Sequence, residues 1–191
     1  MTFFIEAINI DKIYGQESKD IESKDISKPG SDKWQTFSNS KFSIMYPDNW
    51  ILKDKISRFH ELDLNLLKIT EDSFPSFLGI SFDVIQNPDK LSNELVLDQS
   101  EEVGKFSSKS VYEVYDILER NLTKYKIDDN NSASHIIKYT YKDNQLEGKL
   151  LEVFSVIDNK LFILTYQSAM KDFDKDLPIV DKIIKSIKIS K

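Results

Sequence analysis

The chain has 191 residues, with 32 acidic against 26 basic side chains, a formal net charge of −6 and no cysteine. The missing thiols exclude cysteine nucleophiles, zinc–thiolate centres and a disulfide framework. An acidic chain whose basic residues include only two arginines, Arg58 and Arg120, is poorly suited to phosphate backbones or guanine edges, so nucleic acid is not an expected partner.

No apolar run approaches the ~20 residues of a membrane-spanning helix. Near the start, Phe3, Phe4, Ile5, Ala7, Ile8 and Ile10 are apolar, but Glu6 and Asp11 interrupt them and no Lys or Arg precedes them. This matches a signal peptide poorly and reads either as the remnant of one that begins upstream or as an apolar tail. Residues 17–33 hold an imperfect Glu-Ser-Lys-Asp-Ile repeat closed by Pro29-Gly30. Too few of these side chains can be buried to offset the entropy of ordering, so a flexible segment is expected, either a tether to a membrane or cell surface or an unremarkable N-terminus. The organisation is therefore a tail over 1–33 and one domain over 34–191, long enough to bury roughly 70% of its unfolded surface without metal or disulfide.

The domain opens on a hairpin, Trp34 to Phe37 and Lys41 to Tyr46, around Ser38-Asn39-Ser40. Phe42, Ile44 and Tyr46 alternate with Ser43 and Met45, the pattern of a strand with one buried face, until Pro47 removes an N–H and ends it. Strands are expected over 64–70 and 77–85, followed by 87–108, where Leu91, Leu95 and Val96 fit a short helix but Pro88, Gly104 and Ser107-Ser108 point to a long connection. Ser110 and Glu113 have capping-box spacing, and Val111, Val114, Tyr115, Leu118 and Leu122 fall on one face, which predicts a helix. A meander follows over 134–142, 146–157 and 161–167, turning at Asp143-Asn144 and Asp158-Asn159. A last helix is predicted to start near Asp176-Leu177-Pro178 and to bury Leu177, Val180, Ile183, Ile184 and Ile187. Antiparallel strands with helices set apart from them define an α+β class, one antiparallel sheet sandwiched by helices.

The run Phe42-Ser43-Ile44-Met45-Tyr46-Pro47-Asp48-Asn49-Trp50, the pair Leu177-Pro178 and the closing Ile184-Lys185-Ser186-Ile187, taken with this order of elements, resemble the PsbP-like family. That family is named for the extrinsic oxygen-evolving-complex subunit of photosystem II. The resemblance covers residues 34–190 and implies an α/β/α sandwich ending on an aromatic strand, here 161–166, a Lys/Asp-rich turn over 171–175 and a helix. Two departures stand against carrying photosynthetic activity over. Asn130-Asn131-Ser132-Ala133-Ser134 replaces a Gly-x-Pro/Ala-type turn, and nothing in 1–33 resembles the segment with which the photosystem subunit engages its complex. The same broad fold occurs in a Ran-binding nuclear import factor, in bacterial lipoproteins and in secretion-system chaperones, so it does not fix a task.

Few residues are candidates for chemistry. His60 heads His60-Glu61-Leu62-Asp63, which offers three metal-ligand types, but an exposed loop histidine is the favoured reading. His135 begins a strand among apolar neighbours, where a hydrogen-bonded core or edge histidine is favoured over a catalytic base, and it is carried as a candidate partner contact. Asp128 and Asp129 supply oxygens for a weak Ca²⁺ site, against a favoured reading as a solvated turn, because the twelve-residue spacing and closing glutamate of an EF-hand are missing. Tyr46 and Trp50 are the other partner-contact candidates, although rings beside a strand-ending proline are expected chiefly to anchor the fold. There is no Gly-x-Ser-x-Gly elbow, Gly-rich phosphate loop or His-Glu-x-x-His helix. Asn121 and Asn130 head N-glycosylation sequons that matter only for an exported chain.

These observations predict a non-enzymatic, monomeric binding or assembly module without a cofactor other than weak Ca²⁺. It is expected to be exported or tethered at a surface, with a cytoplasmic location as the alternative. It would dock onto a membrane-associated protein complex through a sheet edge or the loops near Tyr46 to Trp50. The alternatives are a lipoprotein-like domain binding a small ligand or metal, and a hydrolase with an unrecognised site.

Overall fold

The computed structural model describes residues 33–53, 62–69, 75–85 and 91–190. The elements run in chain order as β1 (Trp34–Ser38), β2 (Phe42–Pro47), β3 (Ile51–Leu52), β4 (Leu64–Lys68), β5 (Ser76–Val84), α1 (Asn93–Val111), β6 (Tyr112–Ile127), β7 (Asn130–Tyr141), β8 (Glu147–Ile157), β9 (Lys160–Ala169), α2 (Met170–Ser186) and β10 (Lys188–Ile189). A small sheet has the order β1-β2-β10, and a large one has the order β3-β4-β5-β9-β8-β7-β6, with every pairing antiparallel. The expected α+β sandwich is observed.

The hairpin β1–β2 forms as its sequence predicts. The Asn39 side chain accepts the amides of Lys41 at 2.8 Å and Phe42 at 2.9 Å, closing an Asx turn. β2 then buries Phe42, Ile44 and Tyr46 while Met45 stays 44% exposed. At the hairpins β6–β7 and β8–β9, the turn pairs Asp128-Asp129 and Asp158-Asn159 all have positive φ, between 45° and 67°. Short polar side chains tolerate that left-handed backbone, and its twist matches paired strands.

The period-two alternation of the long strands gives the large sheet two buried faces. Ile136, Leu151, Val153, Phe162, Leu164 and Tyr166 point to one side, where they meet Phe42, Ile44, Tyr46 and Trp50 and the stripe Phe173, Val180, Ile183 and Ile184 of α2. Ala133, Phe154 and Leu161 point to the other, where Val96 and Leu97 of α1 cover them. The two helices therefore lie on opposite faces of the sheet.

Three expectations are corrected. The helix expected to start at Ser110 is not there: Ser110 and Val111 end α1, and 112–127 form β6. Three register shifts, at Tyr112/Val114, Ile117/Glu119 and Asn121/Tyr125, displace its apolar residues from strict alternation. The displaced spacing imitates a helical stripe. The expected connection over 87–108 contains α1 instead, started by Ser92, whose Oγ accepts the Leu95 amide at 3.1 Å. Finally, α2 begins at Met170, so the Lys/Asp-rich stretch 171–175 is helical and Pro178 lies inside the helix. Pro178 is exposed, so the carbonyl it leaves unpaired is open to water, which softens its usual cost. The readings made for residues 1–32 and for His60 lie outside the described residues.

Candidate functional site

Beneath α1 the sheet holds a buried polar layer. His135 on β7 and Glu152 on β8 are register partners, and their side chains meet with Nε2 2.6 Å from Oε2. Ser100 of α1 donates its hydroxyl to the same carboxylate oxygen at 3.2 Å. On the other side of the ring, Nδ1 lies 3.7 Å from Oε1 of Glu101, also on α1. Glu101 in turn lies 3.4 Å from the guanidinium of Arg120, which reaches from β6 across to Asp98. Basic and acidic residue types thus alternate through the layer, from Arg120 to Glu101 to His135 to Glu152, although His135 Nδ1 and Glu101 Oε1 face each other without a hydrogen bond. The His135 side chain has 0% exposure.

The geometry does not form a nucleophile–base relay. Ser100 donates to Glu152 rather than to His135, and a carboxylate faces each nitrogen of the ring. What the arrangement does is clamp α1 to β7 and β8. Glu152, the partner that sequence reading missed, was signalled by a lone carboxylate inside the apolar run Leu150-Leu151-Glu152-Val153-Phe154.

Beside this layer lies a tyrosine cluster. The Tyr112 ring is 5.2 Å from Tyr139, 5.0 Å from Tyr141 and 5.9 Å from Tyr115, and Gln167 donates to the hydroxyls of Tyr139 and Tyr141. Burial pushes the Tyr112 and Tyr139 phenols well above their ordinary range. Burial, and then the charges of Glu152 and Glu101, does the same to Tyr115.

The other candidates are spread through the fold. Tyr46 is 5% and Trp50 1% exposed, and Trp50 packs on Tyr166 with ring centres 6.2 Å apart. Together with His135 they are core residues, so their rings are not on a surface where a partner meets the folded chain. Asp128 uses one carboxylate oxygen on the Lys188 ammonium at 3.1 Å and the other on the Ile189 amide at 3.3 Å. It ties β10 to the β6–β7 turn, and the hydrogen bond it accepts from the Lys188 ammonium, and then its charge, raise the Lys188 pKa. Among the described residues, no group of three or more His, Cys, Asp or Glu could hold a metal ion.

The outward face of α2 is different in kind. At 100° per residue, Lys171, Lys175, Lys182 and Lys185 fall within an arc of about 80°, opposite the buried stripe, and all four are exposed. The helix carries as many aspartates, but these turn aside. Asp174 accepts from Lys149 at 2.9 Å, and Asp176 is buried against Lys68, Ser76 and Tyr166. Asp172 lies 3.7 Å from Lys175, and Asp181 faces Tyr125.

No family model matches the sequence, and a search of curated proteins finds no match. Solved structures do share the architecture. The solution structure of cyanobacterial PsbP (CyanoP) from Synechocystis sp. PCC 6803 aligns with a TM-score of 0.62 at 16% identity, over 88% of this chain and 98% of that one. The Saccharomyces cerevisiae Ran-binding protein Mog1p aligns at 0.56 and 5% identity, over 83% and 96%. LpqN, involved in cell envelope biogenesis of Mycobacterium tuberculosis, aligns at 0.51 and 9% identity, over 83% and 91%. The chain therefore has the PsbP-like α+β fold. At these identities the likeness is one of fold, and the task must be argued from the chain's own residues.

Proposed function

We propose that this chain is a non-enzymatic binding or assembly module that docks onto a membrane-associated protein complex, on the extracytoplasmic side. One observation carries the reading: the ionisable groups that would be expected to do chemistry, His135, Glu152 and Glu101, are closed against one another beneath α1. A fold shared with a Ran-binding protein and with a protein of cell envelope biogenesis supports a role in recognition. Among the described residues, no helix is long and apolar enough to cross a membrane, so attachment to a membrane would run through a partner, a lipid surface or the segment before residue 33.

The test is reconstitution. The full chain, incubated with solubilised membranes of its source organism, is expected to co-elute with one complex at a fixed ratio. Chemical cross-links from that complex should fall on surface residues and not on the polar layer. Reproducible hydrolase or transferase turnover, lost in a folded His135→Ala variant, would overturn the proposal.

A further inference from the structure

We infer that the lysine face of α2 is a membrane-facing surface that binds the headgroups of anionic phospholipids. This deepens the membrane-docking reading and rests on it. Four lysines occupy about 21 Å of one helix face, while Asp174 and Asp176 of the same helix are held by Lys149 and Lys68 and Asp172 lies 3.7 Å from Lys175 of the stripe itself. Among the described residues, Lys182 and Lys185 have no ion-pair partner. In a chain of net charge −6, α2 carries as many lysines as aspartates, and its lysines are gathered on one stripe.

The residue types select the occupant. Protein interfaces concentrate their energy in Trp, Tyr and Arg, and rigid carboxylate recognition favours the planar fork of arginine. This stripe has none of them, only flexible ammonium groups around the exposed Pro178. Lysines of that kind respond to charge density and not to shape, and the surface of an anionic bilayer supplies charge density without shape. Met45, 44% exposed, lies beside the C-terminal end of the helix through the hydrogen bonds of its backbone with Ser186. The acidic side chains Glu94, Asp98 and Glu102 of α1 sit on the opposite face of the sheet, so a bilayer under α2 meets the lysines away from those acids, with the exposed Asp174 beside them held by Lys149.

Co-sedimentation of the full chain with vesicles tests the inference. Binding is expected to vesicles of phosphatidylcholine with about one-third phosphatidylserine, to be absent with phosphatidylcholine alone, and to fall steeply with salt. Each lysine near an anionic surface is worth about fivefold in partitioning, so Lys182→Gln with Lys185→Gln should weaken binding roughly 25-fold while far-UV dichroism and the thermal midpoint stay unchanged. Glu102→Gln on the far face should leave binding unchanged. Equal binding to neutral and anionic vesicles, or a double variant that binds like the parent, would overturn the inference. Loss of a co-eluting, lipid-free complex in the double variant, with no vesicle binding by the parent, would assign the face to an acidic protein instead. If vesicles bind and no complex is found, the lipid surface stands and the protein-complex reading falls.

Discussion

Glu152 faces His135 across the β7–β8 pair with Oε2 2.6 Å from Nε2, both side chains closed off from water by α1. On either side of the pair α1 contributes a group: Ser100 donates to the same oxygen, and Glu101 faces the far nitrogen at 3.7 Å. Its removal is therefore a test of what fastens α1 to the sheet.

Glu152→Ala should cost about 3–5 kcal/mol in urea unfolding, because it leaves a buried ring and a buried hydroxyl without their acceptor. Replacing both members with leucine should cost much less than the two single changes added together, since an apolar pair leaves no orphaned charge. A loss of under 1 kcal/mol for Glu152→Ala would mean that water reaches the layer and that the clamp is weak.

Trp50→Ala should cost ~3–5 kcal/mol. The ring is 1% exposed, and it fills the space between the β2–β3 connection and Tyr166. A domain of this size has about 5–15 kcal/mol in total, so the denaturation midpoint should drop sharply. An unchanged midpoint, with binding to membrane extracts lost, would instead place the ring at a contact surface.

Much of this architecture was legible from the chain. Alternation in Phe42, Ile44 and Tyr46, and in Phe162, Leu164 and Tyr166, survives folding because each set sits on one face of one strand. The Asp158-Asn159 turn was legible for the same local reason, since both residues adopt the left-handed backbone that their short side chains permit. β6 was not, because its bulges shift the period of Val114, Ile117 and Leu118 away from two, and Ser110 with Glu113 copied a capping box by coincidence. α1 was hidden by Gly104 and its serines, weak helix formers that tertiary contacts through Val96, Leu97 and Ser100 override. The polar layer needed three elements to meet, and only one of its members, His135, had been singled out. No local pattern announces a pair seventeen residues apart.

Alkaline titration should show a silent set of tyrosines. Burial is the largest cause of the raised phenol pKa at Tyr112, Tyr115, Tyr125, Tyr139 and Tyr166, each starting from an ordinary value of 10.0. A raised folded value means that the native state holds these protons more tightly than the unfolded chain does. The resulting stability is complete below about pH 10 and is lost as pH rises above it. Absorbance near 295 nm should thus leave these five un-ionised in native protein at pH 11 and bring them up together with unfolding. Reversible ionisation of every tyrosine near pH 10, with the fold intact, would contradict their enclosure.

Gly104 and Gly148 are the two places where a single methyl group probes this enclosure from opposite sides. A Cβ on Gly104 would lie 2.0 Å from the Tyr115 hydroxyl oxygen and 2.8 Å from its ring, so the ring must move. Ala normally gains about 1 kcal/mol over Gly inside a helix, yet Gly104→Ala should be net destabilising by ~1–3 kcal/mol, as overpacking usually is. Adding Tyr115→Phe removes the nearest atom and leaves the 2.8 Å contact, so the double variant should recover part of the loss. A Cβ on Gly148 would meet the Tyr139 hydroxyl at 2.2 Å and the Ser168 backbone carbonyl at 2.9 Å. Tyr139 is 1% exposed, and a backbone oxygen held in the β8–β9 ladder cannot swing aside, so Gly148→Ala should cost more than Gly104→Ala. Thermal unfolding of the three variants decides the matter. If Gly104→Ala raises the midpoint, helix propensity outweighs the clash and Tyr115 does not pack against α1 as described.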